Sequence, residues 1–92
     1  MEIKHKDDSE DRMFYMEQNG EKIAKMTYEW SGTDRIIIDH TEVDVSLKGL
    51  GVGKQLVKKA VEFARKKNIK IVPTCPFAKR VFAISPEYND VL

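Results

Sequence analysis

A single cysteine, Cys75, cannot close an internal disulfide, so the chain is expected to carry a free thiol in a reducing cytoplasm. Two histidines and that cysteine show no ligand spacing, which leaves no metal site to expect. No apolar run approaches the roughly 18 residues of a membrane span, and the opening MEIKHKDDSE has no apolar signal segment. Repeats and low-complexity tracts are absent. What remains, 92 residues with 41% hydrophobic and 34% charged side chains, reads as one globular domain spanning 1–92. A chain of this size buries roughly 60–65% of the surface its unfolded form exposes, enough to fold alone with little to spare.

Net charge is only +1, yet the halves differ. Residues 1–46 hold 6 Lys/Arg and 12 Asp/Glu, whereas residues 47–92 hold 10 and 3. Such asymmetry points to an anion met by the second half, either nucleic acid or a phosphorylated small molecule. The plain alternative is a solvated, lysine-rich helix face. Stacking platforms for nucleic acid interleave aromatic and basic residues, and this chain does not, so no nucleic-acid partner is expected.

Asn19-Gly20 lies between two runs rich in β-formers, a strong signal for a hairpin turn in which both central residues take positive φ. Ala24, Met26, Tyr28 and Trp30 alternate with polar residues, as a strand with one buried face should. After a turn at Ser31–Asp34, RIIIDHTEVDV reads as a third strand, antiparallel to the second. Val52, Leu56, Val57, Ala60, Val61 and Ala64 then recur at helical spacing. Arg65, Lys66 and Lys67 suit that helix's last turn, and Asn68 suits a left-handed stop. IKIVP reads as a short buried strand. TCPFAKRVFAIS reads as a second helix opened by Pro76 and stopped before Pro86. The order β-β-β-α-β-α predicts an α+β mixed sheet: an antiparallel meander, one β-α-β crossover with parallel strands, and a short C-terminal helix.

Three of the five glycines, Gly49, Gly51 and Gly53, sit just ahead of the first helix. A Walker loop fails here, because Lys48 stands at its first glycine and Gln55 follows Gly53-Lys54. A dinucleotide fingerprint fails too, with Lys54 and Leu56 at its third glycine. What is left is a strand, a turn free of Cβ atoms and a helix N-terminus, which together aim several N–H groups at one spot bracketed by Lys48 and Lys54. Either that spot holds a phosphate or pyrophosphate, or the glycines merely permit a tight turn.

Lys48-x-x-Gly51-x-Gly53 resembles the Q/R-x-x-G-x-G/A signature of the GNAT superfamily of N-acetyltransferases, in the same strand-to-central-helix setting. Lys48 replaces the usual Gln or Arg, which keeps a charge but loses the forked geometry. The wider pattern DHTEV…GLGVGKQLVKKAVEFARKKNIKIVPTCPFAKRVF…SPEY, over about residues 13–90, looks like a small GNAT-like subfamily of this length. The resemblance implies acetyl-CoA (coenzyme A) as cofactor and an unidentified amine or protein as acceptor, with a monomer expected. It implies that Val43, Asp44 and Val45 pair with the pantetheine arm where their strand splays from its neighbour. It implies that Lys48, Gly49, Leu50, Gly51, Val52, Gly53 and Lys54 cradle the pyrophosphate, and that Cys75, Pro76 and Phe77 lie beside the thioester. Lys79 and Arg80 are further candidates for the cofactor's phosphates or adenine. Relative to the family pattern, Asn19-Gly20 joins two strands directly where helices are usual, and the two strands usual after the second helix are not expected before Leu92. The cofactor half is expected to be present and the acceptor half largely missing.

His40 and Glu42, two apart on one strand, share a face and are candidate bases for the acceptor's proton. A half-buried, merely satisfied His40 is the alternative. With Pro76 first in its helix, Cys75 is the N-cap, where the dipole favours a thiolate. There it could accept acetyl in a two-step route with His40 as base, or be a small buried hydrophobe. Two functions follow: an acetyl-CoA-dependent N-acetyltransferase, or a non-catalytic acetyl-CoA-binding module lacking a complete acceptor site.

Overall fold

The computed structural model describes residues 2–92. Five strands, β1 (Lys4–Asp7), β2 (Arg12–Gln18), β3 (Glu21–Ser31), β4 (Arg35–Val43) and β5 (Lys70–Pro73), form one sheet in sequential order. Helix α1 (Val52–Lys67) connects β4 to β5, and α2 (Pro76–Ala83) follows β5. Pairing is antiparallel from β1 to β4 and parallel between β4 and β5, the mixed α+β sheet expected of a meander followed by one crossover. No helix among the described residues is long and apolar enough to cross a membrane.

Local chemistry accounts for most of these elements. Asn19 and Gly20 both adopt positive φ (52° and 81°) and close the β2–β3 hairpin. Asn68 ends α1 in the left-handed conformation, its N–H donating to the carbonyls of Ala64 and Arg65. Along α1, Leu56, Val57, Ala60, Val61 and Ala64 are buried against the sheet. Each fully buried Leu or Val contributes about 1.5–3 kcal/mol.

Two expectations change, and the C-terminal segment takes a form the sequence left open. Strand β1 precedes the meander, so Asn19-Gly20 joins the second and third strands, and the first two meet at a tight turn in which Asp8 accepts from the N–H groups of Glu10 and Asp11. The strand read through Val45 stops at Val43, because the Asp44 carboxylate accepts from the Ser46 N–H (2.9 Å) and turns the chain into a 3-10 segment, Val45–Leu47. That bond also holds the Asp44 carboxyl below its ordinary range. Finally, Pro86–Val91 folds back as a 3-10 turn with Val91 buried. Arg65 clamps it, donating to both Asp90 carboxylate oxygens (2.8 and 2.9 Å) and to the Glu87 carbonyl, while Tyr88 packs edge-on to Phe82.

Strand β1 carries the polar sequence KHKD, and side chains far along the chain fix it to the sheet. His5 stacks on Phe14 (4.2 Å between centroids) and meets the edge of Phe63. The Tyr28 hydroxyl donates to Asp7 (2.8 Å), so the 2.7 Å contact of His5 Nε2 with Tyr28 requires His5 Nε2–H to donate to the Tyr28 oxygen. Trp30 Nε1–H donates to the same Asp7 oxygen at 3.0 Å. Burial pushes the Tyr28 phenol up, and the Asp7 carboxylate adds to the shift.

Burial holds the His5 imidazole below its ordinary value of 6.5; Asp7 opposes this and Lys67 reinforces it. As pH falls through 6.5 the unfolded chain takes up this proton before the folded one, so stability declines from there down to the folded-state value. Urea unfolding midpoints should fall between pH 7.5 and 5.5, and fall less in His5→Gln. An equal loss in both proteins would remove His5 from this account.

Candidate functional site: a parted strand pair and a glycine-capped helix

Strands β4 and β5 pair only over Arg35–Ile38 and Lys70–Pro73. The Ile38 carbonyl then accepts from the Thr74 and Cys75 N–H groups (2.9 and 3.2 Å) and from the Thr74 hydroxyl, and the strands part. Beyond this point β4 stays hydrogen-bonded to β3 alone. Asp44 N–H donates to the Ile23 carbonyl, so strand alternation turns the backbones of Thr41 and Val43 toward the open edge. Splaying was expected at Val43, Asp44 and Val45; the structure begins it nearer Asp39 and directs Asp44 into a turn.

A bulge sits at the parting. Tyr28 pairs with Ile38 but Thr27 pairs with His40, which leaves Asp39 as an extra residue, its carboxylate accepting from the Thr27 hydroxyl. One extra residue reverses the alternation that follows. Unshifted alternation from buried Ile36 and Ile38 would point His40 inward. Instead Thr41, paired with fully buried Met26, faces the core, and His40 and Glu42 share the opposite face.

Cys75 is the N-cap of α2, as expected from Pro76. It is 5% exposed, and its Sγ accepts from the Ala78 N–H at 3.3 Å. The Thr41 hydroxyl lies 3.4 Å from the same sulfur. The two base candidates contact each other, His40 Nε2 to Glu42 Oε1 at 3.0 Å, with Lys25 3.7 Å from the other Glu42 oxygen. The His40 bond, and then Lys25, hold the Glu42 carboxyl below its ordinary range, so it accepts and His40 donates from Nε2. Any proton that neutral His40 accepts goes to Nδ1. The structure thus brings Cys75 to Thr41 and His40 to Glu42, but does not bring His40 or Glu42 to Cys75.

The glycine turn opens α1. Gly49 (φ 84°) and Gly51 (φ 71°) hold left-handed backbone that other residues rarely adopt. Gly51 is the N-cap, with no side-chain cap bond. The first intrahelical bond runs from Gln55 N–H to the Gly51 carbonyl, so the N–H groups of Val52, Gly53 and Lys54 precede it. Val52 and Gly53 are buried residues, and the positive end of the helix at this point favours an acceptor of negative charge. A cleft of about 240 Å³ lies over them, lined by Val43, Leu47, Lys48, Gly49, Gly51, Val52, Gly53, Lys54 and Phe77. Lys48, Lys54, Lys79 and Arg80 form no ion pair among the described residues, whereas Lys4, Lys6, Arg12, Lys25 and Arg35 of the first half each do. Val45 and Leu50 are exposed apolar side chains and do not line the cleft; Lys79 and Arg80 are exposed on α2 and do not line it either.

Gly53 has a different reason from its neighbours. Its φ is ordinary for a helix, but a Cβ there would lie 2.4 Å from Cζ of Phe77. The Phe77 ring rests on the first turn of α1, a contact 24 residues away in sequence that spacing alone does not disclose.

Gly to Ala inside a helix ordinarily adds about 0.5–1 kcal/mol of stability. Gly53→Ala should show no such gain, because the ring must be displaced. In a Phe77→Ala background the same substitution should recover it, as read by urea denaturation. Equal effects in the two backgrounds would deny the contact.

Residues 13–91 match the family model described as GCN5-related N-acetyl-transferase. Protein NATD1 from Xenopus tropicalis is 29% identical over 85 residues, covering 91% of this chain and 78% of its own length, and the human protein of that name is 29% identical over 85 residues, with 91% and 75% covered. Among solved structures, a GCN5-like protein from Staphylococcus aureus studied in solution by NMR superposes with a TM-score of 0.78 at 40% identity, covering 98% of this chain and 85% of that one. A GNAT family acetyltransferase from Elizabethkingia anophelis, solved with acetyl-CoA bound, shares the fold at a TM-score of 0.62 and 20% identity; 85% of this chain aligns with 52% of that one. The match to its family model and the parted β4–β5 sheet together place this chain in the GCN5-related N-acetyltransferase family.

Proposed function

We propose that the protein binds acetyl-CoA and transfers its acetyl group to an amine, working as a monomer in a reducing cytoplasm where Cys75 stays a thiol. The observation that carries this reading is the start of α1, which has no side-chain cap and whose first residues, Val52, Gly53 and Lys54, line a cleft together with Lys48. The pyrophosphate would take the N–H groups of that helix start and the two lysines. The pantetheine arm would lie along the open edge of β4 at Thr41 and Val43, which carries the thioester toward Cys75. There Sγ attacks the thioester carbonyl: a new S–C bond forms, the bond to the CoA sulfur breaks, and the thiol proton ends on the leaving thiolate. An amine then attacks acetyl-Cys75, loses its proton and restores the thiol. His40, through Nδ1, is placed to take a proton only from an acceptor that approaches the opposite face of the sheet.

That separation favours a second reading, an acetyl-CoA-binding module without turnover. Incubation with acetyl-CoA, acid quench and peptide mass spectrometry separates the two. Transfer predicts acetyl on Cys75 or on added amines, loss of the Cys75 adduct in Cys75→Ser, and loss of both binding and label in Gly51→Glu. Saturable binding with no acetyl on either would leave only the module. Absence of binding by the wild-type chain would overturn both.

A further inference from the structure

We infer that Thr41 is a positioning residue for the Cys75 sulfur, a role that rests on the reading of Cys75 as the acetyl acceptor. Its hydroxyl spans the gap between β4 and the start of α2, 3.4 Å from Sγ, and it is the one side chain that hydrogen-bonds to that sulfur among the described residues. The other partner of Sγ is the Ala78 N–H, which can only donate. A sulfur that accepts from Ala78 and carries negative charge during attack accepts from Thr41 as well. The two donors hold Sγ between the helix start and the open edge of β4, where the pantetheine arm is placed. Donors directed at developing charge are most effective where water is scarce, and Cys75 is 5% exposed.

The geometry follows from the bulge. Asp39 reverses the side-chain alternation, so the hydroxyl of Thr41 and not the imidazole of His40 reaches the sulfur. No proton passes through Thr41 in this account: the thiol proton goes to the departing CoA sulfur, and Thr41 keeps its own while donating to Sγ.

Thr41→Val keeps the shape and removes the donor; Thr41→Ser keeps the donor. The probe is iodoacetamide, which alkylates Cys75 without cofactor or acceptor and therefore reads the sulfur independently of acetyl transfer. At neutral pH, Thr41→Val should be alkylated about tenfold more slowly, the scale of one lost hydrogen bond to a charged group, and Thr41→Ser should return close to the wild-type rate. Acetylation of Cys75 by acetyl-CoA should fall and recover in the same order, with the urea midpoint close to wild type in both variants. Alkylation of Thr41→Val at the wild-type rate or faster would overturn the role, as would a Thr41→Ser protein as slow as Thr41→Val. If the alkylation pattern holds and wild-type Cys75 takes no acetyl from bound acetyl-CoA, the positioning stands and the two-step route fails.

Discussion

The parting of β4 from β5 is the constraint on which the site depends. Over four residues the two strands pair normally; then a single carbonyl, that of Ile38, takes the last bonds from the β5 side and β4 continues alone. An unpaired strand edge inside a fold is costly unless something else pairs with it. Here it exposes the backbones of Thr41 and Val43 and leads directly to the glycine turn and the start of α1. The Asp39 bulge lies at the same point, and it decides which side chains face each side of the gap. Strand edge, helix start and sulfur are thus set by a few residues around Ile38.

Elsewhere the structure supports this gap. Fully buried Val57, Ala60, Val61 and Ala64 hold α1 on the sheet, and Phe77 on Gly53 ties the start of α2 to that of α1. At the other end of α1, Arg65 secures the C-terminal turn through Asp90 and Glu87. The exposed ion pairs on the far face of the sheet, such as Lys4 with Glu17, contribute little in comparison. Among the described residues, Lys48 and Lys54 form no ion pair, and both line the cleft at a helix start that has no side-chain cap.

Elements determined by neighbours in sequence were legible: the Asn19-Gly20 hairpin, α1 with its Asn68 stop, and Cys75 capping a helix begun by Pro76. The glycine turn was legible as left-handed backbone ahead of a helix start, because that is a local requirement. What could not be read depended on pairing or distant contacts. Strand β1 looks like a polar tail, and its place is set by Tyr28, Trp30 and Phe63. The Asp39 bulge exists only in the register between β3 and β4, so His40 read as a partner of Cys75 and Thr41 went unnoticed. Gly53 read as part of the turn because its reason, Phe77, is on another helix.

On the proposed function, acetyl-CoA would lie along the parted edge of β4 with its pyrophosphate on the start of α1. Backbone amide resonances followed by NMR during an acetyl-CoA titration test it most directly. The largest shifts are expected at Thr41, Val43 and Gly49 to Lys54, with β1, β2 and the exposed lysines Lys58 and Lys59 of α1 nearly unmoved. Unmoved Thr41 and Val43 amides, or a shift pattern centred on the His40–Glu42 face of the sheet, would contradict it.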